Sequence, residues 1–390
     1  MSISRRNFLT SVSAGVAGMS LDRTGRSESA GPEGQGAAPK VQKYKPFGKT
    51  GLKISDVSFG VISLFDANVL RYAYDRGVNY FDTAEGYLNK QSETMIGQAL
   101  KSVRDKVVIT TKYVFRNAAE RNRAEIVKRA EASLKRLQTD HVDVAMVHSV
   151  DEPSVLDDPE IQAGYRQLRK EGKARFVGFS THNARDFLPK ALDSDLYRVV
   201  LFVYNHLEGK AIQPLVEQLH KKGVATVAMK VFAGGMQGSL KGMVSEKQSY
   251  PQAAIRWVLS DPNVDACIVT MSSYSHVDEY LGASGRPLLE SDLKLISSYR
   301  NEAWDQYCRV SCRECLQACP QRVAINEVLR YAMYFEHYGM QREAARYYRE
   351  LDESRKPAPC QACSGPCQSA CPYGLQVRSR LIRANEMLVV

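Results

Sequence analysis

Nowhere in its 390 residues does the chain hold an uninterrupted apolar run of about eighteen residues, so no permanent membrane-spanning helix is expected. It also lacks a basic tract beyond Arg5-Arg6. Its 53 Lys and Arg are scattered among 43 Asp and Glu, so the net charge of +10 reads as solvated surface and no nucleic-acid partner is expected. With 44% hydrophobic and 25% charged residues, nothing in the composition suggests disorder or a fibre. The length suits one full-size core and one smaller module.

The N-terminus reads Ser4-Arg5-Arg6-Asn7-Phe8-Leu9-Thr10, then a mildly apolar stretch, SVSAGVAGMSL, then SESAGPEGQGAAP. This resembles a twin-arginine (Tat) export signal, with residues 1–40 as signal and linker. The resemblance implies passage through the Tat translocase and a periplasmic or otherwise exported location. The apolar stretch is too short to span a membrane, and no A-x-A cleavage site follows it.

Between residues 41 and 300, short apolar runs alternate with amphipathic helical stretches. The runs DVSFG (56–60), NYFD (79–82), VVITTK (107–112), VDVAMV (142–147), RFVGF (175–179), RVVLFV (198–203), VATVAM (224–229) and ACIV (266–269) predict strands. Eight strands separated by helices over about 250 residues predict an α/β fold of the (β/α)8 TIM-barrel type. Barrel chemistry gathers just past the strand C-termini. Those ends carry Asp82 and Tyr87 in FDTAEGY, Lys112 in ITTK and His148 in AMVHS. One ionisable strand-end residue is unremarkable, but four at three adjacent ends point to a site.

Several stretches resemble the aldo-keto reductase family: YKPFGKTGLKISDVSFG, GVNYFDTAEGY with SETMIGQAL, VVITTK, ASLKRLQTDHVDVAMVH, GKARFVGFSTHN and SSYSHVDEYLGA. The resemblance places the family's catalytic tetrad on Asp82, Tyr87, Lys112 and His148. Its nicotinamide-holding positions fall on Ser180, Thr181, Tyr204 and Met229, and its phosphate segment brings Ser272, Ser273 and Glu279. Leu201 stands where the family has Gln and Tyr280 where it has Asn. No Arg or Lys lies between Thr270 and Leu281, so a 2′-phosphate would lack its cation. NADP selectivity is therefore not expected, while NAD and a nicotinamide-free site both stay open.

The chemistry follows from the residue types. Hydride reduction of a carbonyl needs a proton at the developing alkoxide, and a phenol near its ordinary pKa of about 10 is a poor donor at neutral pH. A lysine ammonium beside Tyr87 is expected to pull that value down, about three units requiring roughly 4 kcal/mol. Asp82 would orient Lys112 and keep it charged, and His148 would bond the substrate oxygen. Run backwards, Tyr87 is the base for alcohol oxidation. Substrate choice is expected in loops such as 113–122 and 206–214.

After Asn301 the character changes. Cys308, Cys312, Cys315 and Cys319 precede Pro320; Cys360, Cys363, Cys367 and Cys371 precede Pro372; together they make eight of the nine cysteines. Disulfides, zinc and iron-sulfur ligation compete here. Cysteines three and four apart suit one metal centre better than crosslinks, and a fourth cysteine followed by proline is not a zinc habit. The runs resemble those of bacterial ferredoxins, each with one extra spacer residue, and imply a C-terminal α-helical ferredoxin-like module over 301–390 with two 4Fe-4S clusters. By the same resemblance, Cys319 would join Cys360, Cys363 and Cys367, and Cys371 would join Cys308, Cys312 and Cys315. Cys267, in ACIV, reads as a buried inert thiol.

Joined to one-electron centres, the barrel (41–300) predicts an exported oxidoreductase. It would interconvert a small-molecule carbonyl and alcohol and exchange electrons with a redox protein or quinone. Hydride carries two electrons together, so a flavin or similar splitter between barrel and clusters is open, although no flavin motif is recognisable. The alternative is an electron-transfer or docking protein whose barrel has lost catalysis.

Overall fold

The structure is a computed structural model that describes residues 38–64, 66–115, 117–234, 249–303, 305–306, 308–309 and 311–389. The twin-arginine segment lies outside the described residues. Residues Pro39–Val390 form one compact unit.

An antiparallel pair, β1 (Tyr44–Pro46) and β2 (Lys53–Ser55), precedes eight parallel strands. These are β3 (Val57–Gly60), β4 (Tyr80–Asp82), β5 (Val108–Tyr113), β6 (Val142–Val147), β7 (Ala174–Thr181), β8 (Tyr197–Val203), β9 (Ala225–Met229) and β10 (Ala266–Val269). They close into a barrel in sequence order, β10 pairing with β3. All eight expected runs are these strands, with ends moved by at most two residues.

Side chains alternate across each strand, and that parity builds the site. Tyr80, Val108, Val144 and Met146 point into the barrel, where Phe47 and Ile54 of the hairpin join them. Phe81, Ile109 and Ala145 belong to the separate core under the helices. Continued along β4, β5 and β6, the inward parity reaches Asp82, Lys112 and His148 at one end. The hairpin plugs the other end and needs a glycine there. A Cβ on Gly48 would stand 2.6 Å from the Ala225 nitrogen and the Gly223 oxygen.

Helix Glu290–Ala303 runs across residue 300, next to which the second domain was expected to begin. The tail is helical, and helix Ile325–His337 meets the mouth of the barrel. Glu327, Arg330, Tyr331 and Tyr334 recur every one to three residues along it and, with Tyr338 just beyond its end, line the barrel's cavity. Val328, Leu329, Ala332 and Met333 are buried in the apolar core. Contacts between the barrel and the chain that follows it fasten the tail, three hydrogen bonds among them. Arg346 donates to the Gly86 carbonyl at 2.8 Å, the Ser311 amide to Glu208 at 3.1 Å, and the Tyr299 hydroxyl to the Ala233 carbonyl at 2.7 Å. No helix among the described residues is long and apolar enough to cross a membrane.

Candidate active site

Asp82, Tyr87, Lys112 and His148 meet at the C-terminal mouth and line one cavity of about 1250 Å³. Lys112 Nζ donates to Asp82 Oδ1 at 2.5 Å and to the Thr83 carbonyl at 2.6 Å. The Tyr87 hydroxyl lies 3.5 Å from His148 Nε2, the rings edge to face with centroids 5.5 Å apart. Lys112 Nζ is 5.1 Å from the Tyr87 ring centroid. The chain reaches this geometry through residues 88–90, which take positive φ directly after Tyr87.

The electrostatics correct one expectation. Tyr87 was expected to be acidified by Lys112, yet its hydroxyl is pushed well above the ordinary phenol value, by burial first and then by the charge of Asp82. Lys112 is directed to Asp82 and the Thr83 carbonyl, and dry protein around the phenol outweighs its field. Burial also raises Asp82 and lowers Lys112, each partly offset by the other. The second Asp82 oxygen, Oδ2, is buried without a hydrogen-bond partner.

The expected cofactor positions divide by strand parity. Ser180, Met229 and Ser272 line the cavity, as does Leu201. Thr181 and Tyr204 have the outward parity. The Thr181 hydroxyl donates to the Val150 carbonyl at 3.0 Å, and the Tyr204 hydroxyl, packed beside Trp257, donates to Asp261. Ser273 caps helix Tyr274–Leu281, accepting from the His276 amide at 3.2 Å, and Glu279 accepts from Ser249. Neither lines the cavity. Of the two loops in which substrate choice was expected, 113–122 contributes Val114, Phe115, Asn117, Glu120 and Arg121 to the lining and 206–214 contributes none; Glu208 accepts from the Ser311 amide of the tail.

Among the cavity residues not singled out from the sequence are His182, Lys230, Arg330 and Tyr334. His182 shares the inward parity of Ser180, a signal that was available. Lys230 turns to the mouth through a left-handed backbone, φ +57. Arg330 and Tyr334 come from the tail and had no local signal. Lys230 Nζ donates to the Tyr334 hydroxyl at 2.9 Å. Burial alone would raise Tyr334, but Lys230 and Arg330 outweigh it and bring the phenol below its ordinary value.

None of the nine cysteines is in a disulfide. Cys267 is fully buried in β10, which drives its thiol up. The others sort into two neighbourhoods. Burial first, then the charges of Cys315, Glu208, Cys312 and Cys371 raise Cys308. Burial first, then Cys367, Cys319 and Cys363 raise Cys360, to about 11. Cys319, Cys360, Cys363 and Cys367 line one small cavity with Arg378 and Leu381. Among the described residues no group of three or more His, Cys, Asp or Glu stands at single-ion ligating geometry.

A family model described as the Aldo/keto reductase family matches residues 63–242. A Schizosaccharomyces pombe protein, named as a candidate voltage-gated potassium channel subunit beta, is 31% identical over 275 residues, 63% of this chain and 79% of that one. L-galactose dehydrogenase of Arabidopsis thaliana is 26% identical over 281 residues, 62% of this chain and 88% of that one. An aldo-keto reductase from Bacillus halodurans, in its holo form, shares the fold with a TM-score of 0.55 at 23% identity, covering 66% of this chain and 95% of the other. The thermostable aldo-keto reductase Tm1743, solved with the inhibitor epalrestat, gives a TM-score of 0.52 at 26% identity, covering 66% of this chain and 99% of the other.

Proposed function

The chain belongs to the aldo/keto reductase family and is an oxidoreductase, and from that premise we propose that it interconverts a carbonyl and an alcohol on a small molecule, with Tyr87 as the acid and base. The observation that carries this is the meeting of Tyr87, His148, Lys112 and Asp82 at one barrel mouth. His148 Nε2 and the Tyr87 hydroxyl, 3.5 Å apart, can share one substrate oxygen. His148 orients it and Tyr87 delivers the proton as the alkoxide develops. Asp82 and Lys112 hold the floor of the site. With its phenol held high, Tyr87 rests in the protonated form that reduction requires.

In this reading Ser180 and Met229 hold a nicotinamide and Ser272 its phosphate end; all three line the cavity, whose volume suits such a cofactor beside a small substrate. Such a cofactor would supply or take the hydride. Titration with NADH and NADPH tests this: neither a fluorescence change nor dinucleotide released on denaturation would remove nicotinamide from the reading.

The tail, in this reading, carries two 4Fe-4S clusters shared crosswise, one on Cys308, Cys312, Cys315 and Cys371, the other on Cys319, Cys360, Cys363 and Cys367. The two thiol neighbourhoods support that division. The clusters would supply one-electron transfer to a redox protein or quinone, with a flavin as one means of splitting the pair. The Tat-like SRRNFLT (4–10) supports export of protein already folded around its clusters. Anaerobic purification should give iron near eight per chain and a broad absorption near 400 nm; a zinc-only preparation with full activity would overturn the cluster reading.

A further inference from the structure

Three cations of the cavity, Lys230, Arg330 and Arg346, have no carboxylate partner among the described residues, and Arg346 is taken up by the Gly86 carbonyl at 2.8 Å. Lys112 is paired with Asp82, Arg129 with Glu85, Arg121 with Glu152 and Arg355 with Glu327. Lys230 and Arg330 also line the cavity, yet among the described residues neither has a carboxylate within 4.0 Å.

Among the described residues Lys230 makes one side-chain hydrogen bond, to the Tyr334 hydroxyl at 2.9 Å, and lies 4.4 Å from that ring's centroid and 5.2 Å from that of Tyr338. An ammonium has three donors, so two remain. Arg330 lies 5.4 Å from the Tyr331 ring centroid. The nearest acid on its helix, Glu327, is held by Arg355 at 2.9 Å and bonds the Asp151 carboxyl. Both cations bear on His182, which burial first and then their repulsion keep neutral. Glu327 acts on Arg330 only from beyond ion-pair distance, and Arg330 also hydrogen-bonds the Tyr331 side chain; partly desolvated cations with no carboxylate in contact are costly, and the cavity they face is where an anion would relieve that cost.

We propose that Lys230 and Arg330 form a subsite for a carboxylate or phosphate group of the small molecule bound in the cavity. This deepens the reductase reading and rests on that cavity being the active site. The Arg330 fork suits two oxygens of one anion, Lys230 adds a point charge, and the Tyr334 hydroxyl, accepting from Lys230, can donate its own proton to the same group. Barrel and tail build the subsite jointly, so the helical tail selects what enters the mouth.

The full-length protein, with whatever it natively carries, is titrated with inorganic phosphate and with malonate at fixed ionic strength against chloride, following thermal unfolding and heat of binding. A saturable response is expected. It should weaken at least tenfold in Arg330→Gln and in Lys230→Gln and persist in Lys128→Gln, an exposed control. Should either variant fail to fold, phosphate protection of Lys230 from acylation, read by mass spectrometry on the wild type, replaces it. Phosphate that displaces bound NADH identifies the cofactor as the source of the anion; phosphate that leaves NADH in place identifies the substrate. Three results would overturn the subsite: no saturable response or protection, an equal response in both Gln variants, or a neutral-pH phenolate absorbance lost in Tyr334→Phe, which would make Tyr334 the counter-ion of Lys230. Tyr87→Phe should keep the anion response while losing turnover, so the subsite and the reductase reading fail separately.

Discussion

The Lys112 ammonium sits 2.5 Å from Asp82 Oδ1 and 2.6 Å from the Thr83 carbonyl, so it anchors the acid and the loop rather than the phenol beside it. Tyr87 and Lys112 should therefore fail differently when removed. Tyr87→Phe deletes the proton donor and only a long 3.5 Å contact, so turnover should fall about 10²- to 10⁴-fold with stability changed by less than about 1 kcal/mol. Lys112→Met leaves Asp82 buried and alone, which should cost about 3–5 kcal/mol. Steady-state kinetics beside urea unfolding separate the two; equal losses of stability would count against this division of roles.

The raised Tyr87 phenol carries a pH consequence. Its protonated form is the resting one, so carbonyl reduction should hold its rate from neutral pH through pH 10 instead of declining where an ordinary phenol ionises. A rate that already falls between pH 7 and 9, in enzyme shown to stay folded, would mean that Lys112 acidifies the phenol after all.

Crosswise sharing of the cysteines has a discriminating double variant. Cys319 and Cys360 lie in one neighbourhood although they belong to different runs. If they serve one cluster, Cys319→Ser with Cys360→Ser removes a single cluster and leaves about four iron atoms per chain. If each run holds its own cluster, the same protein loses both. Iron analysis and electron paramagnetic resonance of the reduced protein read the outcome.

Strand parity explains how much could be read from the chain alone. The runs ending in Asp82, Lys112 and His148 put each residue an even number of steps from a core position, so the mouth could be found without coordinates. The same rule, carried one residue further along β7 and β8, would have set Thr181 and Tyr204 aside and added His182. Arg330 and Tyr334 were out of reach, because their role comes from where helix Ile325–His337 docks, and no local pattern encodes docking. The direction of the Tyr87 shift was out of reach for a related reason: burial decides it, and the tail helps to create that burial.

His206 should make the protein acid-sensitive. It lies buried with Nε2 2.9 Å from the Tyr250 hydroxyl, and burial first, then the repulsion of Arg300 and Arg309, lower it to about 3 from 6.5. A depressed folded value contributes stability that is present above the unfolded value and is lost as pH falls toward the folded one. Between pH 6.5 and 4.5 this group should remove about 2 kcal/mol. His206→Gln should flatten that window; an unchanged slope would assign the acid sensitivity elsewhere.

Asp143 offers a test of scaffold apart from chemistry. It is buried on β6 with the parity that faces away from the barrel interior. Its Oδ2 accepts from the Ile109 amide and from Arg104, both at 2.9 Å, and its Oδ1 accepts from Arg175 at 2.9 Å. Arg104 also donates to the carbonyls of Val107 and His141 at 3.0 Å, so its guanidinium ties β5 and β6 together. Arg175 is 47% exposed, and an ion pair in that setting contributes at most about 1 kcal/mol. Removing the acid strands the strand-edge amide and the largely buried Arg104 at once. Asp143→Ala should therefore cost about 3–5 kcal/mol, Arg104→Ala less, and Arg175→Ala about 1 kcal/mol or below. None of the three touches the cavity, so turnover per folded molecule should stay at the wild-type value. Denaturant unfolding gives the ordering, and kinetics on the folded fraction give the second half; an Arg175→Ala loss as large as that of Asp143→Ala would show that the exposed partner, not the buried one, holds β6 in place.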